Sequence, residues 1–466
     1  MASFSDQSLF VLAQYRKLAL ENNFNLLFNT NTNGLLKTTS EFVDIIDKCS
    51  IPRTYKELVE SIQETHGSTD LNQFNDTLTN AINSGILLHL NHDYTYDTPA
   101  SIGSLSEIEA SQSTCTPDPS LQHVNKVCIM ITDRCNLDCI YCLNKSSRRE
   151  QRSELSFSQW RMIIDQMKDI GCTNVTISGG EPLLASTTFD VAAYCRSNDM
   201  STAVITNGTL VSENNISLMT DCFDDISISI DSHIPSIADR LRGEGTYISA
   251  NAAISLLEKK KVGCTLNAVM TGINIDHLPA MYEYYHSQYS NILDVNTMIQ
   301  EYDSLCPEIA ISTEQVLQFV SNRFNYYIDK YGYDVLNKRE AFNLSPRSGC
   351  GVGRNEIAVS PDGKVFPCRI LYTKELECGD LLNNSLIDVL NNSKVLAKIQ
   401  HADINRPEKC ENGDCGFVTF CRGGCFASAY YASRRYVPVI SPRQCAFQHK
   451  HFAAQLALKV SSKLAT

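Results

Sequence analysis

Residues 132–142 read TDRCNLDCIYC, so that Cys135, Cys139 and Cys142 follow the spacing C-x3-C-x2-C. They come directly after the apolar stretch 126–131, which predicts a buried strand. Three thiolates on one loop can hold three corners of a 4Fe-4S cluster and leave the fourth iron for a non-protein ligand. An iron left open in this way indicates chemistry rather than electron storage. A zinc site without its fourth ligand is the alternative that this spacing leaves open.

An alternation of strands and helices surrounds this loop. Segments that look like helices follow the predicted strands, and two of them begin with capping boxes, Ser156 with Gln159 and Ser312 with Gln315. Six β/α units in series predict an α/β fold with a parallel sheet that curls into a partial barrel, whose strand C-termini carry the chemistry. The predicted strands are Lys126–Ile131, Asn174–Ser178, Thr202–Thr206, Asp225–Ile230, Val262–Met270 and Leu293–Met298.

Composition narrows the class of protein. The chain has 466 residues, with 40 Lys and Arg against 52 Asp and Glu and a net charge of -12, which argues against a nucleic-acid partner. No apolar run approaches the roughly 18 residues that cross a membrane, so we expect a cytoplasmic protein. Nineteen cysteines, an odd number, in a reducing compartment favour metal or redox chemistry over disulfides.

The chain divides into four predicted parts. Residues 1–100 form a small domain, in which a hairpin with strands at 24–28 and 35–38 precedes three helices, as in a winged helix. The third of these helices places apolar residues at positions 71, 74, 78, 81 and 82 on one face. Residues 101–122 are a linker, 123–335 the barrel, and 336–466 a cysteine-dense domain held by metal.

The cysteine loop, with Tyr141 just before its third cysteine, resembles that of the radical S-adenosylmethionine (SAM) superfamily. Later motifs agree in order with this resemblance. Gly179-Gly180-Glu181-Pro182 resembles the GGEP motif, whose backbone binds the methionine amino group of SAM, and Glu181 would offer charge to that ammonium. The resemblance implies further cofactor contacts from Asn207, from Ser229 and Asp231, and from Arg242, which would face the SAM carboxylate.

The resemblance also implies the reaction. SAM would chelate the open iron, and an external one-electron reductant such as flavodoxin or ferredoxin would supply the electron that cleaves it. The 5'-deoxyadenosyl radical formed would then take a hydrogen from an unactivated C–H bond, while the barrel orients the substrate and excludes water.

The cysteines after residue 350 resemble those of the SPASM extension found in peptide-modifying radical SAM enzymes. The order is C-x12-G-x4-C, a gap, C-x4-C-x5-C-x3-C, a gap and C, and its first CxxC spacing is two residues longer than in the family. The resemblance implies two auxiliary 4Fe-4S clusters and hence three clusters in all. The first would be held by Cys350, Cys368 and Cys425, and the second by Cys410, Cys415, Cys421 and Cys445.

Several points about these cysteines stay open. Either Cys378 or an open iron completes the first auxiliary cluster, and a pair of zinc sites is the alternative to both clusters. Sulfatase-maturing members of the family carry an aspartate where this chain has Arg369, which argues against formylglycine formation. We expect the other cysteines to be small buried residues, at positions 49, 115, 128, 172, 195, 222, 264 and 306.

The N-terminal domain resembles the recognition element of ribosomal peptide maturation systems, which binds a leader peptide as an added strand. The alternative is a DNA-binding winged helix, but its third helix, between residues 70 and 84, has no Lys or Arg to meet phosphates. These features together predict a maturase that crosslinks a precursor peptide by a thioether, ether or C–C bond. Peptide epimerisation, oxidative decarboxylation and a non-catalytic, metal-binding regulator that binds a peptide are the rival hypotheses.

Overall fold

The computed structural model describes most of the chain and all six predicted barrel strands. Within the described residues, no helix is both long enough and apolar enough to span a membrane. The residues described are 9–12, 16–19, 24–28, 35–50, 53–66, 70–84, 86–90, 124–143, 153–299, 307–338, 350–404, 421, 424–433 and 442–463. Four cysteines lie outside these residues, namely Cys115, Cys306, Cys410 and Cys415. The predicted linker, residues 101–122, also lies outside them.

The central sheet follows the predicted order of units. Its six consecutive parallel strands each lie within two residues of their predicted bounds, and neighbours in sequence are neighbours in the sheet. The partial (β/α)6 barrel is therefore confirmed. With β1 to β6 in the N-terminal domain below, these strands are β7 Lys126–Thr132, β8 Asn174–Gly179, β9 Ser201–Thr206, β10 Asp225–Ser229, β11 Cys264–Met270 and β12 Ile292–Ile299.

Helices cover the outer face of this sheet and bury their apolar stripes against it. Ser156 forms the expected capping box with Gln159, and Trp160, Ile163 and Met167 of that helix are fully buried. The cap of the last helix, between Ser312 and Gln315, is also present. With α1 to α3 in the N-terminal domain, the helices are α4 Phe157–Asp169, α5 Thr188–Ser197, α6 Ile216–Cys222, α7 Pro235–Arg242, α8 Thr246–Lys259, α9 Leu278–Gln288 and α10 Thr313–Lys338.

The N-terminal region has its own core and more strands than the sequence predicts. The hairpin pairs Phe24 with Thr39 and Phe28 with Leu35, and the three helices follow it as expected. On the third helix Phe74, Leu78 and Ala81 are buried, whereas Leu71, the first residue of the helix, is 43% exposed. The elements are β1 Leu9–Leu12, β2 Arg16–Ala19, β3 Phe24–Phe28, β4 Leu35–Thr39, α1 Ser40–Asp47, β5 Arg53–Thr54, α2 Tyr55–His66, α3 Leu71–Asn83 and β6 Leu87–Leu90.

The C-terminal region extends the central sheet. Its first strand, β13, pairs in parallel with β7 on the side opposite β8, so that nine strands form one sheet. Two antiparallel strands complete that edge, and helices follow. Because the C-terminal region joins the sheet beside β7, Tyr372 and Cys425 lie near the loop that follows β7. The elements are β13 Glu356–Val359, β14 Lys364–Phe366, β15 Gly379–Asp380, α11 Leu386–Asn392, α12 Lys394–Ile404, α13 Phe426–Ser433 and α14 Pro442–Lys463.

Candidate active site

The backbone of the cysteine loop lies directly against the two glycines at the end of β8. The Gly180 amide donates to the Thr132 carbonyl at 2.7 Å, and the Glu181 amide donates to the Arg134 carbonyl at 2.8 Å. A Cβ atom on Gly179 would lie 2.3 Å from the Thr132 oxygen, and one on Gly180 would lie 2.1 Å from the Arg134 oxygen. Only glycine permits this approach, so the pair determines where the cysteine loop begins.

The Glu181 carboxylate joins β8 to the turn after β9. It is fully buried and accepts hydrogen bonds from the Thr206 hydroxyl at 2.7 Å, from the Asn207 amide at 2.8 Å and from the Leu183 amide at 3.1 Å. Burial raises the pKa of this carboxyl above its usual range, although these donors oppose the shift. The carboxylate therefore faces neighbouring backbone, and the expected contact between its charge and an ammonium group is not what the geometry favours.

Asn207 ties the turn after β9 to the cysteine loop. Its side-chain amide donates to the Oδ1 of Asn136 at 2.9 Å, and Asn136 donates in turn to the Thr209 hydroxyl at 2.7 Å. The loop is thus held at its start by the glycines and at Asn136 by the neighbouring strand end. Sequence reasoning did not select Asn136, and no short-range pattern marks it, because its partners are about 70 residues away.

Asp231 and Arg242 form a buried ion pair beside the loop. The Nε of Arg242 lies 2.7 Å from the Oδ2 of Asp231, whose other oxygen accepts from the Val269 amide at 2.8 Å. The Tyr141 hydroxyl also donates to Asp231, and the guanidinium lies 5.6 Å from the centre of the Tyr141 ring. Arg242 thus has a protein partner in Asp231 and also lines the cavity described below, and its contact with the cofactor carboxylate stays a prediction.

This cluster fixes protonation states as well as positions. Although burial opposes its charge, Arg242 has a raised pKa because the Asp231 carboxylate stabilises the guanidinium. Burial, chiefly, raises the pKa of Tyr141, so that its hydroxyl stays protonated and donates to Asp231. The end of α7 also contacts the loop, since the Ile140 amide donates to the Leu241 carbonyl at 3.0 Å. Strand β10 and helix α7 thereby position the middle of the cysteine loop.

One cavity of about 440 Å³ lies at the C-terminal ends of the strands, within the usual range for small-molecule sites. The three loop cysteines line it together with several of the predicted cofactor-binding residues, while Glu181, Pro182 and Asp231 lie behind its wall. The predicted residues among those that line it are Cys135, Cys139, Tyr141, Cys142, Gly179, Gly180, Asn207, Ser229, Arg242 and Cys425.

The donor set fits a cluster better than a single ion. Within the described residues, no three Cys, His, Asp or Glu side chains converge on one metal ion. A 4Fe-4S cluster instead spreads its thiolates over separate irons, which suits three half-buried cysteines that line one wall. Burial raises the pKa of Cys139 to about 11, so iron binding must displace a proton there.

The described cysteines of the C-terminal region differ in their surroundings and in their exposure to solvent. Cys368 and Cys425 pack against the same apolar cluster, and Cys425 also lines the cavity. Cys378 packs instead against the barrel core, with its thiol 3.4 Å from the Leu376 carbonyl. Cys421 is half-buried, and Cys350 and Cys445 are exposed. The cysteines predicted to be buried are so at every described position, which are 49, 128, 172, 195, 222 and 264.

A further contact links the two cysteine-bearing regions. The Tyr372 hydroxyl donates to the buried carboxylate of Asp133 at 3.0 Å, and its ring packs edge-on against Phe366 at 4.7 Å. Tyr372 is four residues after Cys368, and Asp133 is two residues before Cys135. No sequence signal selects this pair, since 239 residues separate its members.

Comparisons with known proteins agree with this geometry. Residues 129–285 match the radical SAM superfamily, and residues 350–416 match SPASM, an iron-sulfur cluster-binding domain. The fold and the site thus define a radical SAM enzyme. More specifically, the chain contains a radical SAM domain followed by a SPASM domain, and these two domains support SAM and 4Fe-4S clusters as its cofactors.

Two curated relatives act in peptide maturation by name. The mycofactocin maturase MftC of Mycobacterium tuberculosis is 26% identical over 315 residues, which are 65% of this chain and 78% of that protein. The PqqA peptide cyclase of Rhizobium meliloti is 27% identical over 307 residues, 64% of this chain and 81% of that one.

Solved structures share the fold. SuiB of Streptococcus suis, bound to its precursor peptide SuiA, covers 95% of this chain and 100% of its own at a TM-score of 0.56 and 16% identity. The protein anSMEcpe with AdoMet and the Kp18Cys peptide covers 73% of this chain and 99% of its own, with a TM-score of 0.61 and 17% identity. At these identities the likeness establishes the architecture alone.

Substituting Gly180→Ala should empty the loop cluster. The added Cβ would meet the Arg134 carbonyl at 2.1 Å, so the loop must move away from β8. We expect the reconstituted variant to lose about four irons per chain, measured by iron analysis and visible absorption. Gly171→Ala is the control, because its Cβ would meet nothing within 4 Å, although its φ of +80° adds local strain. Equal iron in wild type and G180A would contradict this account.

Substituting Asp231→Asn should destabilise the barrel and weaken SAM binding. The change leaves the Arg242 guanidinium buried without its counter-charge, which typically costs about 3–5 kcal/mol. Chemical denaturation and equilibrium dialysis with SAM would measure the two effects. Asp221→Asn, on the exposed face of α6, is the matched control and should change neither. Wild-type stability in D231N would show that the ion pair does not hold the site.

Proposed function

We propose that this chain is a maturase that installs a crosslink in a ribosomally synthesised precursor peptide. One observation carries the proposal: a single cavity is lined both by the three loop cysteines and by Cys425 of the C-terminal region. A radical source and an auxiliary cluster would therefore face the same substrate. Closing a crosslink removes two hydrogens, so the reaction needs an acceptor for the electron left over, and an adjacent auxiliary cluster can take it.

The chain's own residues have separate tasks in this scheme. Cys135, Cys139 and Cys142 would hold the SAM-binding cluster, while the ends of β8, β9 and β10 offer Gly180, Asn207 and Ser229 to SAM. When bound, this pair of cofactors supplies a carbon radical able to remove a hydrogen atom from an unactivated C–H bond. The Asp231, Arg242 and Tyr141 cluster orients the loop, and the cavity wall limits access of water.

Three clusters are proposed, with the ligands that the spacing implies. Cys350, Cys368 and Cys425 would hold the first auxiliary cluster, whose fourth iron stays open to a substrate atom. The position of Cys378 against the barrel core, away from the apolar cluster of Cys368 and Cys425, supports the open site. The second auxiliary cluster would take Cys410, Cys415, Cys421 and Cys445.

The N-terminal region is proposed to bind the leader of the precursor. Among the described strands, β4 pairs only with β3, which leaves its outer edge available to an added strand. Helix α3 packs beside β4 and carries no Lys or Arg, which favours a peptide over nucleic acid. An external one-electron reductant such as flavodoxin or ferredoxin would reduce the clusters.

The proposal is tested by the mass of the product. Anaerobically reconstituted enzyme, with SAM, reductant and the precursor encoded nearest to it, should yield 5'-deoxyadenosine and a peptide about 2 Da lighter, the mass of two hydrogens. Cys135→Ala should abolish both, whereas Cys222→Ala, a buried cysteine outside the site, should keep them. Unchanged peptide mass with an inverted residue would favour epimerisation, and a loss near that of formic acid would favour oxidative decarboxylation. If wild type forms no 5'-deoxyadenosine, the hypothesis of a non-catalytic, peptide-binding regulator is the one that remains.

Iron counts test the proposed ligands. Wild type should bind about twelve irons per chain, and Cys378→Ala should keep about that number because its thiol faces the Leu376 carbonyl. Cys368→Ala, the matched change at a proposed ligand, should lose about four. Equal iron loss in both variants would make Cys378 a ligand, and zinc in place of iron would overturn both auxiliary clusters.

A further inference from the structure

Two arginines supply the charge of the cavity wall. Among the described residues that line the cavity there is no Asp, Glu or Lys, although the chain as a whole carries a net charge of -12. Arg242 is neutralised there by Asp231, with which it forms a buried ion pair. Arg369 is the other arginine, and no acidic side chain that lines the cavity balances its positive charge.

Arg369 has no acidic partner in the described part of the chain. Its Nη2 donates to the thioether sulfur of Met298 at 3.8 Å, and a thioether is a weak acceptor. A guanidinium offers five N–H donors in a planar fork that matches a carboxylate. Most of this donor capacity therefore remains available to a ligand in the cavity, which Arg369 lines.

The turn that carries Arg369 is held on both sides. The Leu371 amide donates to the Cys368 carbonyl at 3.0 Å, and the Tyr431 hydroxyl donates to the Ile370 carbonyl at 3.0 Å. Tyr372 then fixes the end of the turn through Asp133. A guanidinium on a rigid base loses less entropy when it binds an anion, which is the arrangement expected of a recognition residue.

Arg369 also lies where the two ends of the sheet meet. Met298 belongs to β12, the last strand on one side, and Arg369 follows β14 on the other side. The sheet has therefore curled until these ends are in contact through the arginine. Of the residues predicted to contact SAM, Gly180, Asn207 and Ser229 lie at the ends of β8, β9 and β10 and not on the strands that border this seam, so Arg369 is better placed for a substrate that enters there.

We propose that Arg369 is a specificity-determining residue that binds a carboxylate of the substrate peptide next to the residue being modified. The carboxylate is an Asp or Glu side chain of the core or the C-terminal carboxylate, and it would pair with the guanidinium in the fork geometry. This inference rests on the proposed function, since it assumes that a peptide occupies the cavity. It predicts an acidic residue or a free terminus near the site of modification.

The test pairs enzyme variants with peptide variants. The probe is the precursor that wild type converts, together with versions in which each core Asp or Glu becomes Asn or Gln, and one with a C-terminal amide. Arg369→Gln should lower kcat/KM on the native precursor about 10- to 100-fold. The kcat/KM of Arg369→Lys should lie between that of wild type and that of Arg369→Gln. For one peptide variant, the wild-type enzyme should show the same loss of kcat/KM that R369Q shows on the native precursor. R369Q should show no further loss of kcat/KM on that variant. That variant identifies whether the carboxylate is a side chain or the terminus.

Controls separate this role from others. Arg240→Gln, an exposed arginine on α7, is the matched control and should leave kcat/KM on the native precursor unchanged. Independent, additive losses in R369Q and every peptide variant would overturn the proposal. An equal loss of SAM binding, or of SAM cleavage without peptide, in R369Q would also overturn the proposal, because it would assign Arg369 to the cofactor. A shifted reduction potential of the auxiliary cluster in R369Q, with unchanged affinity for the peptide, would overturn it as well. If wild type converts no precursor, the proposed function fails instead, before Arg369 is tested.

Discussion

The contact between two backbones, the end of β8 and the start of the cysteine loop, is the constraint on which the site depends. The amide of Gly180 and the carbonyl of Thr132 are 2.7 Å apart, and neither glycine at this point has room for a Cβ atom. A backbone contact of this kind fixes the loop more firmly than side chains could, because it has no rotamers to lose. The three cysteines therefore start from a defined position, and Asn136 and Ile140 are then tied to β9 and α7.

The second constraint is electrostatic. Asp231 and Arg242 are both almost completely buried, and a buried ion pair often adds little net stability compared with apolar residues of similar size. Its value here is in geometry, since it gathers the Tyr141 hydroxyl, the Val269 amide and the end of α7 around one carboxylate. A single anion thereby positions three segments of chain that are distant in sequence.

The sequence predicted what depends on local periodicity. The six parallel strands and the caps at Ser156 and Ser312 are confirmed because alternating burial and capping residues act over a few positions. The partners of functional side chains were harder to predict. The sequence motifs predicted cofactor contacts for Glu181 and Arg242, but the hydrogen-bond partners of both residues come from other strands and turns, and those partners decide which way each charge faces.

Longer-range features had no signal in the sequence at all. That β13 joins the sheet beside β7, or that Tyr372 bonds Asp133, depends on segments more than 220 residues apart. The short strands of the N-terminal region were also missed, because four residues such as those of β1 and β6 are too few to show an alternation.

The incomplete barrel gives these long-range contacts their importance. Six β/α units do not close a cylinder as eight do, so an open side remains between β12 and β7. The C-terminal region fills that side by adding β13 to β15, and the turn between β14 and β15 reaches Met298 on β12. The turn that carries Cys368 and Arg369 therefore borders the cavity at the point where the two ends of the sheet meet, so long-range contacts and not local periodicity place Arg369 in the cavity wall.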